Sequence, residues 1–174
     1  MDEIAGVAGV SKATLYLYFK NKIDLFFSVI ERKLWELNKI VVNATTNYID
    51  PVLAIKRLIN DELNFFSDNA AFFKVFYAQR LNFQFRAQMD KDEIHERIKP
   101  FVISKADAIA KVIKHGREDG VFQSVNEIDA AFMLTSLIHT CVFIQILEPE
   151  NVVPMNDRAE LVEKIFLEGL LVRE

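Results

Sequence analysis

Residues 2–22 read DEIAGVAGVSKATLYLYFKNK, and this stretch decides the fold. Ile4, Ala5 and Ala8 fall at helical spacing and give its opening segment a single apolar face. Gly9 is a residue that can end a helix in a left-handed turn. Ser11 follows, and its hydroxyl can cap a new helix by accepting an orphaned backbone N–H. In that second helix Leu15 and Phe19 sit four apart and point inward. Lys12 and Tyr16, also four apart, lie on a different face, with Thr14 and Tyr18 beside them. The expectation is a helix, a tight turn and a second helix. A short helix with an apolar back and a Lys/Thr/Tyr front suits the major groove of DNA. Lysine supplies charge for phosphates, and Tyr and Thr hydroxyls can bond phosphate or base edges.

The segment resembles the helix-turn-helix of the TetR family of bacterial one-component repressors. The resemblance rests on Ile4, Ala5, Ala8, Gly9, Val10, Ser11, Thr14, Leu15, Tyr16, Tyr18, Phe19, Asn21 and Lys22. So many fixed identities in a short span are more specific than a generic helical hairpin. The resemblance implies DNA contacts from Ser11, Lys12, Thr14, Tyr16, Tyr18 and Lys22, the last at a helix N-terminus whose dipole also favours phosphate. It also implies a further helix ahead of Asp2, covering the face formed by Ile4, Ala8, Leu15 and Phe19. Met1 stands where the family often has a capping Thr. The expectation is a shortened chain rather than a natural variant with a weakened head.

Length and composition set the outer bounds. A chain of 174 residues can bury a sizeable core, and its balance of apolar and charged residues is that of a folded protein. The net charge of −4 taken alone argues against a nucleic-acid binder. Its distribution argues the other way: from Lys12 to Lys22 the only charges are Lys12, Lys20 and Lys22. The single Cys141 excludes an intrachain disulfide and suits the cytoplasm. The N-terminus lacks a basic start followed by an apolar run, so no export signal is read. Ala130–Leu147 carries no charge, but its Thr, Ser, His and Gln residues and its acidic flanks fit a buried helix better than a membrane span.

The remaining pattern is helical throughout, and the fold class is all-α. Asn21 caps a long helix running to about Thr46, and Asp50-Pro51 opens another that ends at Ser67-Asp68-Asn69. A shorter helix covers Ala70 to Leu81, and 82–91 reads as irregular or as a helical extension. A long helix runs from about Asp92 to Glu118 or Asp119, bent near Pro100 and capped by Gly120. Two more span about Asn126–Leu147 and Asp157–Val172. Residues 1–46 form the helix-turn-helix head with its connecting helix, and residues 47–174 form a ligand-binding and dimerisation domain. Trp35 is assigned to core or pocket wall.

Phenylalanine is concentrated in the middle of the chain, beyond what short helices need to pack. Phe65, Phe66, Phe72, Phe73, Phe76, Tyr77, Gln79 and Phe83 are the candidate pocket, since apolar-ligand sites combine aromatic walls with a few polar anchors. Asn64, Arg80 and Gln84 are further anchor candidates, and Glu62, Asp68 or Glu93 would favour a cation if they faced the cavity. The resemblance implies that such a ligand shifts the spacing of two DNA-reading heads. It also implies a homodimer built from the last two helices, with Phe132, Thr135, Ile138, His139, Val142, Ile146, Ile165 and Phe166 at the interface. The partners implied are double-stranded operator DNA, a small hydrophobic or aromatic ligand and a second subunit, with no membrane. No catalytic residue, metal site or cofactor is read, because no nucleophile–base set, Gly-rich phosphate loop or zinc spacing occurs. A second reading keeps dimer and pocket but gives up DNA binding, leaving a ligand- or partner-binding module.

Overall fold

The computed structural model describes residues 1–81, 91–148, 150 and 153–172. These residues form eight helices: α1 Asp2–Ala8, α2 Lys12–Tyr18, α3 Lys22–Thr45, α4 Pro51–Asp68, α5 Ala70–Leu81, α6 Lys91–Glu118, α7 Glu127–Leu147 and α8 Met155–Leu170. The segment 82–90, which includes Phe83 and Gln84, lies outside them.

Most boundaries follow from capping chemistry. The Asn21 side chain accepts the N–H groups of Ile23 and Asp24, both at 2.9 Å, and starts α3. Asp50 accepts from Val52 at 2.7 Å and Leu53 at 3.2 Å, with Pro51 as the first residue of α4, where its missing N–H costs nothing. Asn126 caps α7 through the Asp129 N–H. Pro100 lies inside α6, which runs through it as one helix. Gly120, at φ 72°, ends that run.

Helix α8 begins and ends two residues earlier than the sequence pattern predicts, at Met155 and Leu170. Pro154 precedes its first residue. At the far end Leu171 leaves the helix to form an isolated antiparallel bridge with Phe122. The Gln123 N–H reaches the Leu170 carbonyl at 2.9 Å, and the Val172 N–H reaches Val121 at 3.2 Å. The end of α8 is thereby stitched to the turn between α6 and α7.

Helix α4 is the centre of the body, packed against α3, α5, α6, α7 and α8. Ile55, Leu58 and Ile59 have no exposed surface, and Leu63 almost none. Burial of each such side chain contributes roughly 1.5–3 kcal/mol. The same helix carries Glu62 into this interior, where its carboxylate accepts from Lys105 Nζ of α6 at 2.5 Å. Leu37, Val41 and Ala44, in the second half of α3, belong to the same core. Trp35 does not. It is 58% exposed, with its ring edge-on to Phe101 of α6 at 5.3 Å.

Helix α7 is the one described helix long and apolar enough to cross a membrane. It packs against α4, α6 and α8, and Ala131, Leu134 and Ile138 on it are fully buried in the body.

At the end of α6 the backbone of Gly116 lies against the buried ring of Phe122, so an added Cβ would overlap the ring's Cδ2 and Cε2 atoms. Gly116→Ala is therefore expected to cost about 1–3 kcal/mol of stability, as overpacking does. Urea unfolding checks this; an unchanged midpoint would mean that the Phe122 ring has room to yield.

Candidate functional site

Two sites share helix α3, one at its N-terminus and one along its flank. At the N-terminal end, Gly9 adopts φ 67° and closes α1. Its N–H reaches the Gly6 carbonyl at 3.3 Å, and the Val10 N–H reaches Ala5 at 3.1 Å. Ser11 then caps α2 by accepting the Thr14 N–H at 3.0 Å, and the two hydroxyl oxygens lie 2.8 Å apart. Ser11 and Thr14 are thus engaged in holding the helix start. Ala5 and Leu15 are buried between the two helices, Ile4 and Phe19 are half-buried, and Ala8 is exposed.

The outward residues are Lys12, Tyr16, Tyr18 and Lys22. Tyr16 is 49% exposed and Tyr18 76%. Lys22 is exposed at the first position of α3. Lys12 Nζ lies 2.9 Å from a carboxylate oxygen of Asp2 on α1. Their mutual hydrogen bond raises the lysine pKa and lowers that of the aspartate. Leu17 is exposed on α2, a position the sequence pattern does not single out.

The second site is an open cavity of ≈ 1140 Å³ lined by residues of α3, α4, α5, α6 and α7. Of the residues expected there, Phe66, Phe73, Phe76, Tyr77 and Gln79 line it. Phe65 and Phe72 are not on the wall. Phe65 is buried behind it, edge-on to Phe66 at 5.9 Å and Phe73 at 6.1 Å, and Phe72 backs Phe73 at 5.1 Å. Phe83 lies outside the described residues.

Much of the wall comes from elsewhere. Helix α3 contributes Phe26, Phe27, Ile30 and Leu34, and α6 contributes His95, Ile98, Lys99, Phe101 and Lys105. Helix α7 turns Phe132, Thr135, His139 and Phe143 into the cavity, a row at three- and four-residue spacing. Three of these, Phe132, Thr135 and His139, are residues expected at a subunit interface. The His139 ring stands edge-on to Phe66 at 5.5 Å. Ile138, Val142 and Phe166, expected at the same interface, are buried within the protomer instead, and Ile146 is half-buried against its core. Ile165 is exposed. The other exposed apolar side chains on these two helices include Met133, Ile144, Leu147 and Leu161. Among the described residues no three His, Cys, Asp or Glu side chains are grouped to hold a metal ion.

Head and cavity are joined by Arg97 of α6, one residue before the cavity-lining Ile98. Its guanidinium donates to both carboxylate oxygens of Glu31, at 2.7 and 2.8 Å, and to Asp24 at 2.8 Å. The same guanidinium lies 5.8 Å from the centre of the Phe27 ring. Asp24 in turn accepts the backbone N–H of Lys20, in the turn between α2 and α3, at 2.9 Å. That N–H, and secondarily Arg97, hold the Asp24 carboxyl below its usual pKa, while the Glu31 contact raises that of Arg97.

The first 29 residues match the model of the bacterial regulatory proteins of the tetR family. No curated protein matches the chain by sequence. Among solved structures, FadR of Bacillus subtilis in complex with stearoyl-CoA superposes with a TM-score of 0.78 at 18% identity, over 97% of this chain and 87% of that one. The fatty acid degradation regulator FadR of Bacillus halodurans gives 0.73 at 22%, with the same coverages. PfmR of Thermus thermophilus, a TetR family transcriptional regulator, gives 0.75 at 20%, again over 97% and 87%. At these identities the likeness is one of fold. The head carries the helix-turn-helix pattern of that family model, and the helical body shares the fold of these regulators. The sequence match to the tetR family thus covers the head, residues 1–29.

The depressed Asp24 pKa sets a pH dependence. A carboxyl whose folded pKa lies below its unfolded value, about 3.9, contributes stability that is fully present above that value. The contribution is lost as pH falls through the folded pKa. Asp24→Asn is expected to lower the melting temperature at neutral pH, with the gap to wild type closing below about pH 4. A gap that stays constant down to acid unfolding would show that the charge of Asp24 is not what stabilises the turn.

Proposed function

We propose that the chain is a ligand-responsive repressor that binds a palindromic operator as a homodimer and is released by a small hydrophobic ligand. The observation that carries this reading is the sharing of α3 between the two sites. Near its N-terminus Asp24 accepts the Lys20 N–H and so ties α3 to the turn that follows the recognition helix. Within three turns the same helix turns Phe26, Ile30 and Leu34 into the cavity. A ligand that prefers one spacing of α3 and α6 changes the position of the head by its differential affinity for the two arrangements. A DNA-reading regulator of this kind works in the cytoplasm, where the operator is.

Lys12, Tyr16, Tyr18 and Lys22 are the DNA contacts in this reading, with Ser11 and Thr14 fixing the helix that presents them. Lys12 must exchange Asp2 for phosphate. Tyr16→Ala and Lys22→Ala are expected to weaken operator binding without altering subunit association, and Lys22→Ala should reduce the salt slope by about one. Unchanged operator affinity in both variants would remove these residues from the interface with DNA.

The exposed apolar positions of α7 and α8 supply the dimer surface, because a row such as Met133, Ile144, Leu161 and Ile165 is costly to leave in water. A twofold pairing of these helices presents two recognition helices to the two halves of a palindrome. Ile165→Glu places a charge in that surface. Sedimentation is expected to show monomers, with operator affinity lost in parallel; a variant that remains dimeric would move the interface elsewhere. The stearoyl-CoA complex of Bacillus subtilis FadR and the fatty acid degradation regulator of Bacillus halodurans support testing fatty acyl ligands first.

A further inference from the structure

The charges around the cavity define its ligand more narrowly than its apolar walls do. Among the described lining residues the side chains that carry or can take up charge are His95, Lys99, Lys105 and His139, and every one is basic. The nearby buried acid, Glu62, is not on the wall. It lies behind Lys105, which neutralises it at 2.5 Å, so it offers nothing to a cation. That pairing also occupies Lys105: a ligand anion placed on it would meet Glu62 as well, and a second buried negative charge is costly. Lys99 is differently placed. Its ion-pair partner, Glu96, is 4.0 Å away and largely in water, which makes that pair worth little. His95 stands one turn before Lys99, on the same face of α6. Both are exposed, whereas Lys105 is buried, roughly 9 Å farther along the helix axis. The cavity therefore has a basic, wet end at His95 and Lys99 and an aromatic interior bounded by Phe66, Phe73, Phe76, Phe101 and Phe132.

We propose that the ligand is an anionic amphiphile, with its acidic head at Lys99 and His95 and its apolar chain in the aromatic interior. This rests on the reading of the cavity as a hydrophobic-ligand site and adds the sign and place of the ligand's charge. Carboxylate and phosphate heads share the chemistry that Lys99 and His95 recognise, and the chain itself is read by the walls.

The test titrates the full-length chain by calorimetry at neutral pH with four compounds of equal chain length: dodecanoate, dodecanoyl-CoA, dodecanol and dodecylamine. The expected result is that dodecanoate or dodecanoyl-CoA binds about tenfold more tightly than dodecanol, with dodecylamine weakest. Preference for the first marks a carboxylate head, and preference for the second marks phosphates. Lys99→Gln is expected to bring the acid down to the affinity of the alcohol while leaving alcohol binding unchanged. Equal binding of acid, alcohol and amine, or tighter binding of the amine, overturns the charge assignment and leaves the hydrophobic cavity standing. An acid preference that survives Lys99→Gln overturns the placement of the head. Binding of none of the four overturns both the charge assignment and the hydrophobic-ligand reading beneath it.

Discussion

A single buried carboxylate constrains much of the body. Glu62 has no exposed surface, in a helix otherwise packed with Ile55, Leu58, Ile59 and Leu63, and an unpaired charge there would be untenable. Lys105 answers it, and in doing so fixes the register of α6 against α4. Breaking such a pair from one side typically costs ~3–5 kcal/mol, although an apolar replacement of both partners can be as stable. One carboxylate oxygen, Oε1, has no hydrogen-bond partner among the described residues, so the site is not fully satisfied even when paired. The pair determines where α6 lies, and α6 supplies one side of the cavity.

The other side is α3, and the two helices are held together near the head by Arg97. A guanidinium fits this task because its planar fork engages Glu31 through two nitrogens while a third reaches across to Asp24. Lysine, a point charge, would not reproduce that geometry. Asp24 passes the constraint to the Lys20 backbone, and so to the turn that follows α2. Head, clamp and cavity wall thus share α3 between Lys22 and Asn38. The apolar flank of this helix is committed to the cavity and the core, and its polar N-terminus to the turn.

Helix boundaries were legible wherever a local capping residue set them. Asn21, Asp50-Pro51, Asn69, Gly120 and Asn126 each act within a few residues of themselves, and their meaning survives without the rest of the chain. The helix-turn-helix was legible for the same reason. The cavity was half legible. The aromatic run on α5 announces an apolar site, but the contributions of α3, α6 and α7 arise from packing between residues far apart in sequence. Periodicity shows that a face is apolar, not whether it meets core, cavity or solvent. On α7 those three destinations alternate: Ile138 enters the core, Thr135 and His139 the cavity, and Met133 and Ile144 the surface. A helix apolar on all sides gives no sequence signal to separate them. Trp35 was misplaced by the same ambiguity, since a large aromatic on an apolar-striped helix reads as core.

That misplaced side chain has a use of its own. Trp35 is the sole tryptophan of the chain, and it stands edge-on to Phe101 where α3 meets α6. Its indole is partly in water and partly against the ring of a neighbouring helix, so its emission depends on how closely the two helices approach. The protein therefore carries an intrinsic optical gauge at the seam between its two cavity-forming helices, and sliding of one helix along the other would be visible as a spectral change without any added label.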